Sequence, residues 1–88
     1  MSWVCNLTDD ARRDLCDLPK AIQRRVARVL QQMQVDPFQG DVKALRGDEW
    51  KGVFRRRFGD YRLLFLPNSG HHSVSVLRIL IRSEKTYR

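Results

Sequence analysis

The chain has 88 residues, room for one domain and not for a second core. With 42% apolar and 31% charged residues it is not a disordered composition, and no apolar run approaches the roughly 18 residues that span a bilayer. The net charge of +7 comes entirely from one half: residues 1–49 hold eight Lys/Arg against eight Asp/Glu, whereas residues 50–88 hold nine against two.

An excess confined to one half, with 13 of the 17 basic residues arginine, points to a polyanion-binding face. Without a signal-peptide pattern, the expectation is a single domain over residues 1–88 in the cytoplasm, with no membrane contact.

Ser2 to Leu7 reads as a short strand, with Trp3, Cys5 and Leu7 alternating against Val4 and Asn6. Thr8 is placed to cap a helix, and Asp9 and Asp10 follow where the helix dipole favours negative charge. Leu7, Ala11, Leu15 and Leu18 then share one helical face. Cys5 and Cys16 lack metal-type spacing and are expected to be reduced, buried thiols.

Leu18-Pro19 breaks the pattern, and Pro19 suits the first position of a second helix. There Ile22, Val26, Val29, Leu30 and Met33 form an apolar stripe, opposite Lys20, Arg24, Arg25 and Arg28. Asp36-Pro37 ends it. Residues 36–49 read as a turn-rich connector around Val42 to Leu45.

From Trp50 the period becomes extended, and strands are predicted at Trp50–Phe58, Tyr61–Leu66 and Ser73–Arg82. Gly59-Asp60 and the Pro67–His72 segment are the turns between them. The fold class that follows is α+β: a two-helix hairpin packed on a small, mostly antiparallel sheet, in the order β-α-α-β-β-β.

A two-residue loop at Gly59-Asp60 sets Phe58 opposite Tyr61 and Arg57 opposite Arg62. Phe54, Phe58, Tyr61, Leu63 and Phe65 then share the face that receives the helices, while Val53, Arg55, Arg57, Arg62 and Leu64 share the other. Like charges directly opposite cost a few tenths of a kcal/mol, a cost that an anion between them removes. On the last strand, Val74, Val76, Arg78, Leu80 and Arg82 alternate with Ser75, Leu77, Ile79 and Ile81, the pattern of a central strand covered on both sides. Any carboxylate pairing of the arginines is expected from the helices. His71 and His72 sit in a turn beside Gly70, far from the arginines, and are not read as catalytic. No His/Cys/Asp/Glu grouping has metal-ligand spacing, and neither a metal nor a cofactor is expected.

Leu18-Pro19-Lys20, Asp36-Pro37, Val42-Lys43-Ala44-Leu45, the stretch Phe54-Arg55-Arg56-Arg57-Phe58-Gly59-Asp60-Tyr61-Arg62 and the Arg82-to-Tyr87 ending occur in this order. Over residues 3–87 they resemble the RelE/ParE toxin superfamily, the Arg-x-Gly-Asp-Tyr-Arg signature being the most specific. The resemblance implies the toxin half of a type II toxin–antitoxin pair. RelE-branch toxins enter the ribosomal A site and cleave mRNA there without metal, a 2′-hydroxyl attacking its own 3′ phosphate.

Carried over by position, Arg62 holds the scissile phosphate, Arg55 assists, Arg82 contacts the leaving side, and Tyr87 activates the 2′-hydroxyl or stacks on a base. Lys51, Arg56, Arg57, Arg78, Lys85 and Arg88 are the further candidate RNA contacts. The implied partners are a cognate antitoxin, mRNA and the rRNA of the A site, with operator DNA reached only through the antitoxin complex. ParE-branch toxins share the fold and the Gly-Asp-Tyr-Arg turn but act on DNA gyrase, and they usually lack the terminal Arg and Tyr.

Overall fold

The computed structural model describes residues 2–81. Strand β1 (Val4–Leu7) leads into helices α1 (Asp9–Cys16) and α2 (Lys20–Val35), followed by β2 (Val42–Ala44), a 3-10 turn at Asp48–Trp50, β3 (Phe54–Phe58), β4 (Tyr61–Asn68) and β5 (Ser73–Ile81). The five strands form one sheet in the order β1-β5-β4-β3-β2, antiparallel except where β1 runs parallel to β5. The α+β class stands. The turn-rich connector contributes an extra edge strand, and Trp50–Lys51–Gly52 is a turn where the sequence pattern predicts a strand. Gly47 and Gly52, at φ +102° and +82°, allow the chain to bend on either side of Trp50.

The predicted apolar stripes meet in one core. Val26, Val29 and Met33 of α2 and Ala11 of α1 pack with Phe58, Leu63, Phe65, Val74, Val76 and Ile79 of the sheet. Gln23 ties the helical hairpin together, its Nε2 donating to the Leu15 and Leu18 carbonyls at 3.1 and 3.0 Å. The helix stripe and the Gly59-Asp60 register are as expected, Phe58 pairing with Tyr61 and Arg57 with Arg62. Of the two cysteines, both free thiols, Cys5 is half-buried and Cys16 exposed, against the expectation that both are buried. Burial pushes the Cys5 thiol above its ordinary range.

The last strand departs from simple alternation. Leu64 pairs with Arg78 but Phe65 pairs with Val76, so Leu77 is an extra residue, a β-bulge. Before the bulge, Val74 and Val76 are fully buried in the core; after it, Ile79 takes the core side and Arg78 and Leu80 turn to the outer face. The mixed polarity read as two covered faces is instead one strand that changes face midway.

Thr8 sits at the junction that holds this bulge. Its backbone N–H donates to the Val76 carbonyl at 3.0 Å, its hydroxyl donates to the Leu77 carbonyl at 2.9 Å, and the same oxygen accepts from Ala11 N–H at 3.2 Å as the cap of α1. Thr8→Val keeps the shape and removes both side-chain bonds. It is expected to lower stability by about 1–2 kcal/mol in urea unfolding at neutral pH; an unchanged midpoint would show that the cap and the bulge contact contribute nothing.

Candidate functional site

Strand register lays out the outer face of the sheet in two rows. One row runs Arg57, Arg62, Leu80, and the next runs Lys43, Arg55, Leu64, Arg78. Beside them the connector folds over, and a groove of about 270 Å³ forms, lined by Leu45, Arg46, Trp50, Arg62, Leu64, Arg78 and Leu80. Its lining combines apolar side chains with the arginines Arg46, Arg62 and Arg78, a make-up suited to a nucleotide, whose base is flat and whose phosphate is anionic.

The arginines differ in what already holds them. Asp41, from the connector and not from a helix, lies 3.3 Å from Arg55 and 3.9 Å from Arg57. The Arg55 side chain is 13% exposed, so it is folded against Asp41 and does not splay into water. Arg55 is not part of the groove lining, whereas Arg62 is.

Arg78 is gripped more firmly. Its Nε and Nη2 donate to the two carboxylate oxygens of Asp14 at 2.7 and 3.1 Å, and the Ile79 N–H donates to the same carboxylate at 2.9 Å. Asp14 thus covers the edge of β5 that lies beyond the end of β1. The Arg78 hydrogen bond is the chief reason that the Asp14 carboxyl is held below its ordinary value, with the Ile79 N–H adding to it.

Arg56 lies on the other side of the sheet. Alternation along β3 turns it toward α2, where it is 9% exposed and donates to the Gln32 Oε1 at 2.6 Å and the Gln39 carbonyl at 3.0 Å. It does not join Arg55, Arg57 and Arg62. Lys51 is exposed next to the 3-10 turn but is not part of the groove lining. Arg82, Lys85, Tyr87 and Arg88 lie outside the described residues. His72 stacks on Trp3, ring centroids 4.8 Å apart, which is a packing role.

Two groove residues, Arg46 and Trp50, do not stand out in the sequence as site candidates. Arg46 lies in the half whose charges cancel, which hides it. The glycines flanking Trp50, Gly47 and Gly52, are the available sign that its ring is set by a turn.

The family model for the ParE toxin of type II toxin–antitoxin systems, parDE, matches residues 6–86. The chain belongs to the RelE/ParE toxin superfamily. The toxin is similar to a chain of the toxin–antitoxin complex RelBE2 from Mycobacterium tuberculosis, with 32% identity over 93% of this chain and 100% of that one, and a TM-score of 0.84. It is similar also to a chain of the archaeal RelE–RelB complex from Pyrococcus horikoshii, with 26% identity over 96% and 99% of the two chains and a TM-score of 0.81. The isolated E. coli RelE toxin shares the fold, at 18% identity over 97% and 92% of the two chains and a TM-score of 0.76. No curated protein sequence matches the chain.

The Asp14–Arg78 contact gives this toxin a pH signature. A carboxyl held below its ordinary value near 3.8 stabilises the fold above that pH, and the contribution is lost as pH falls through the lower folded value. Asp14→Asn is expected to cost about 1.5–3 kcal/mol at neutral pH. In urea melts the gap between the two proteins should hold from pH 7 to 5 and narrow below pH 4; a gap independent of pH would show that ionised Asp14 is not the source.

Proposed function

We propose that this toxin is a ribosome-dependent endoribonuclease that cleaves mRNA in the A site, acting in the cytoplasm. The observation that carries the reading is the groove on the outer face. There Arg62 of the Gly-Asp-Tyr-Arg turn stands beside the apolar surfaces of Trp50, Leu64 and Leu80.

Cleavage requires alignment of a ribose 2′-oxygen with the adjacent phosphorus, neutralisation of the charge that builds on the phosphate oxygens, and a proton transfer at each end. The 2′-O–P bond forms and the P–O5′ bond breaks. The 2′ proton passes to a base, a proton reaches O5′, and the products are a 2′,3′-cyclic phosphate and a 5′-hydroxyl.

Arg62 donates to the non-bridging phosphate oxygens, and Trp50 offers its ring to a base. Arg55, released from Asp41 when a phosphate competes for it, is the second cation. Arg82 contacts the leaving oxygen, and Tyr87 activates the 2′-hydroxyl or stacks on a base. Lys51, Arg57, Lys85 and Arg88 contact the RNA backbone, with rRNA supplying part of the binding surface. Arg78 is a weaker contact because Asp14 already occupies its fork. A cognate antitoxin neutralises the toxin by covering this face, in keeping with the toxin–antitoxin complexes among its structural relatives.

Gyrase poisoning is the second reading, favoured by one observation: the matching family model is that of the ParE toxin. Primer extension on mRNA from a programmed translation reaction separates the two. New 5′ ends inside A-site codons are expected with the wild type and not with Arg62→Ala, which should lose at least about a hundredfold in cleavage rate while melting normally. An unchanged mRNA pattern together with inhibited supercoiling would replace the endonuclease with the gyrase poison.

A further inference from the structure

The helix side of the molecule carries a second arginine cluster that the outer face does not use. A pocket of about 220 Å³ lies between α2 and β3, lined by Arg25, Arg28, Val29, Gln32, Arg56 and Phe58. Three arginines line it, and among the described residues no carboxylate is part of the lining.

Arg56 is fixed by hydrogen bonds, and Arg25 rests against an aromatic ring. Arg56 is held by the Gln32 side chain and the Gln39 carbonyl, neutral acceptors that set its geometry without cancelling its charge. Arg25 stands over the Phe58 ring, 6.0 Å from its centroid, and against the backbone of Gly59, where a Cβ would lie 2.6 Å from its Nη2. Burial pushes the Arg56 guanidinium below its ordinary range. The Asp41 carboxylate acts on Arg56 through space, but it is also the ion-pair partner of Arg55 and Arg57.

The helix leads toward this pocket. Residues 20–35 contain Lys20, Arg24, Arg25 and Arg28 and no acidic residue. Lys20, Arg24 and Arg28 recur at i, i+4 and i+8, a row about 12 Å long whose like charges weaken the helix. A track of cations ending at a pocket lined by three arginines matches a polymer with repeated negative charge.

We propose that Arg25, Arg28 and Arg56 hold a backbone phosphate of RNA, making the helix side a second nucleic-acid contact surface, independent of cleavage at the outer face. The test is fluorescence anisotropy with a short labelled single-stranded RNA at roughly 50 to 200 mM salt. It compares the full chain with Arg25→Gln/Arg28→Gln and with the charge-matched control Arg12→Gln/Arg13→Gln on α1. Arg28→Gln alone, at an exposed side chain, guards against disruption of the Arg25–Phe58 packing.

The pocket variant should bind about tenfold more weakly, with a salt slope lower by about 0.7 for the one phosphate no longer neutralised. The control should change clearly less. Equal effects in pocket and control variants overturn the proposal, as does a polyglutamate peptide that displaces the RNA as well as unlabelled RNA does. RNA binding unchanged in the pocket variant overturns the pocket and leaves cleavage at Arg62 standing. Cleavage retained by Arg62→Ala removes the outer site and leaves the pocket standing.

Discussion

Strand β5 has one residue more than β4 can pair between Val76 and Arg78, and the arrangement of the outer face depends on that extra residue. Without the bulge, Val76 and Arg78 would share a face, and an arginine would enter the helix-covered core at a cost of several kcal/mol. With it, the first half of β5 supplies Val74 and Val76 to the core, and the second half supplies Arg78 and Leu80 to the groove. Thr8 holds the bulge from one side and Asp14 completes the exposed edge beyond it, so the short helix α1 and its cap finish β5 as well as covering the core. The groove is therefore lined by the residues that the bulge turns outward, Arg78 and Leu80, together with Arg62, Leu64 and the connector's Leu45, Arg46 and Trp50.

Charge is managed differently on the two sides of the sheet. On the outer face, Asp41 moderates Arg55 and Arg57, and Asp14 moderates Arg78. Each pairing reduces the repulsion of a cation-rich surface, and an incoming polyanion must compete with it. On the helix side, Arg25 and Arg28 join Arg56, whose guanidinium donates to the neutral oxygens of Gln32 and Gln39. Both surfaces meet near the Gly59 turn, where Arg57 and Arg62 pair across the hairpin and Arg25 lies against the Gly59 backbone.

Much of this is legible in the sequence because the signals are local. Thr8 with two following aspartates marks a helix start, the stripe from Ile22 to Met33 marks a buried helix face, and Gly59-Asp60 fixes a register from which the placement of Arg57 and Arg62 follows. The bulge is not legible: it arises where Thr8, far away in the chain, contacts the Leu77 carbonyl, and no period within β5 announces it. Strand β2 is hidden because three residues between turn-forming segments carry too little periodicity. Arg56 follows the same alternation, which groups Arg55 with Arg57 and sends Arg56 to the helix side. Asp41 and Arg46 escape notice because both lie in the half whose charges cancel.

Family membership brings the fold and the toxin class, and the chemistry proposed for this chain rests on its own groove. The most direct test of that chemistry removes the attacking atom from the substrate. Ribosomes programmed with mRNA carrying a single 2′-deoxynucleotide at the A-site cleavage position are incubated with the toxin beside the all-ribose mRNA. Cleavage of the all-ribose message, and none at the deoxy position, is the predicted result. Equal cleavage of the two messages would contradict attack by the 2′-hydroxyl, and with it the role given to the arginines of the outer face.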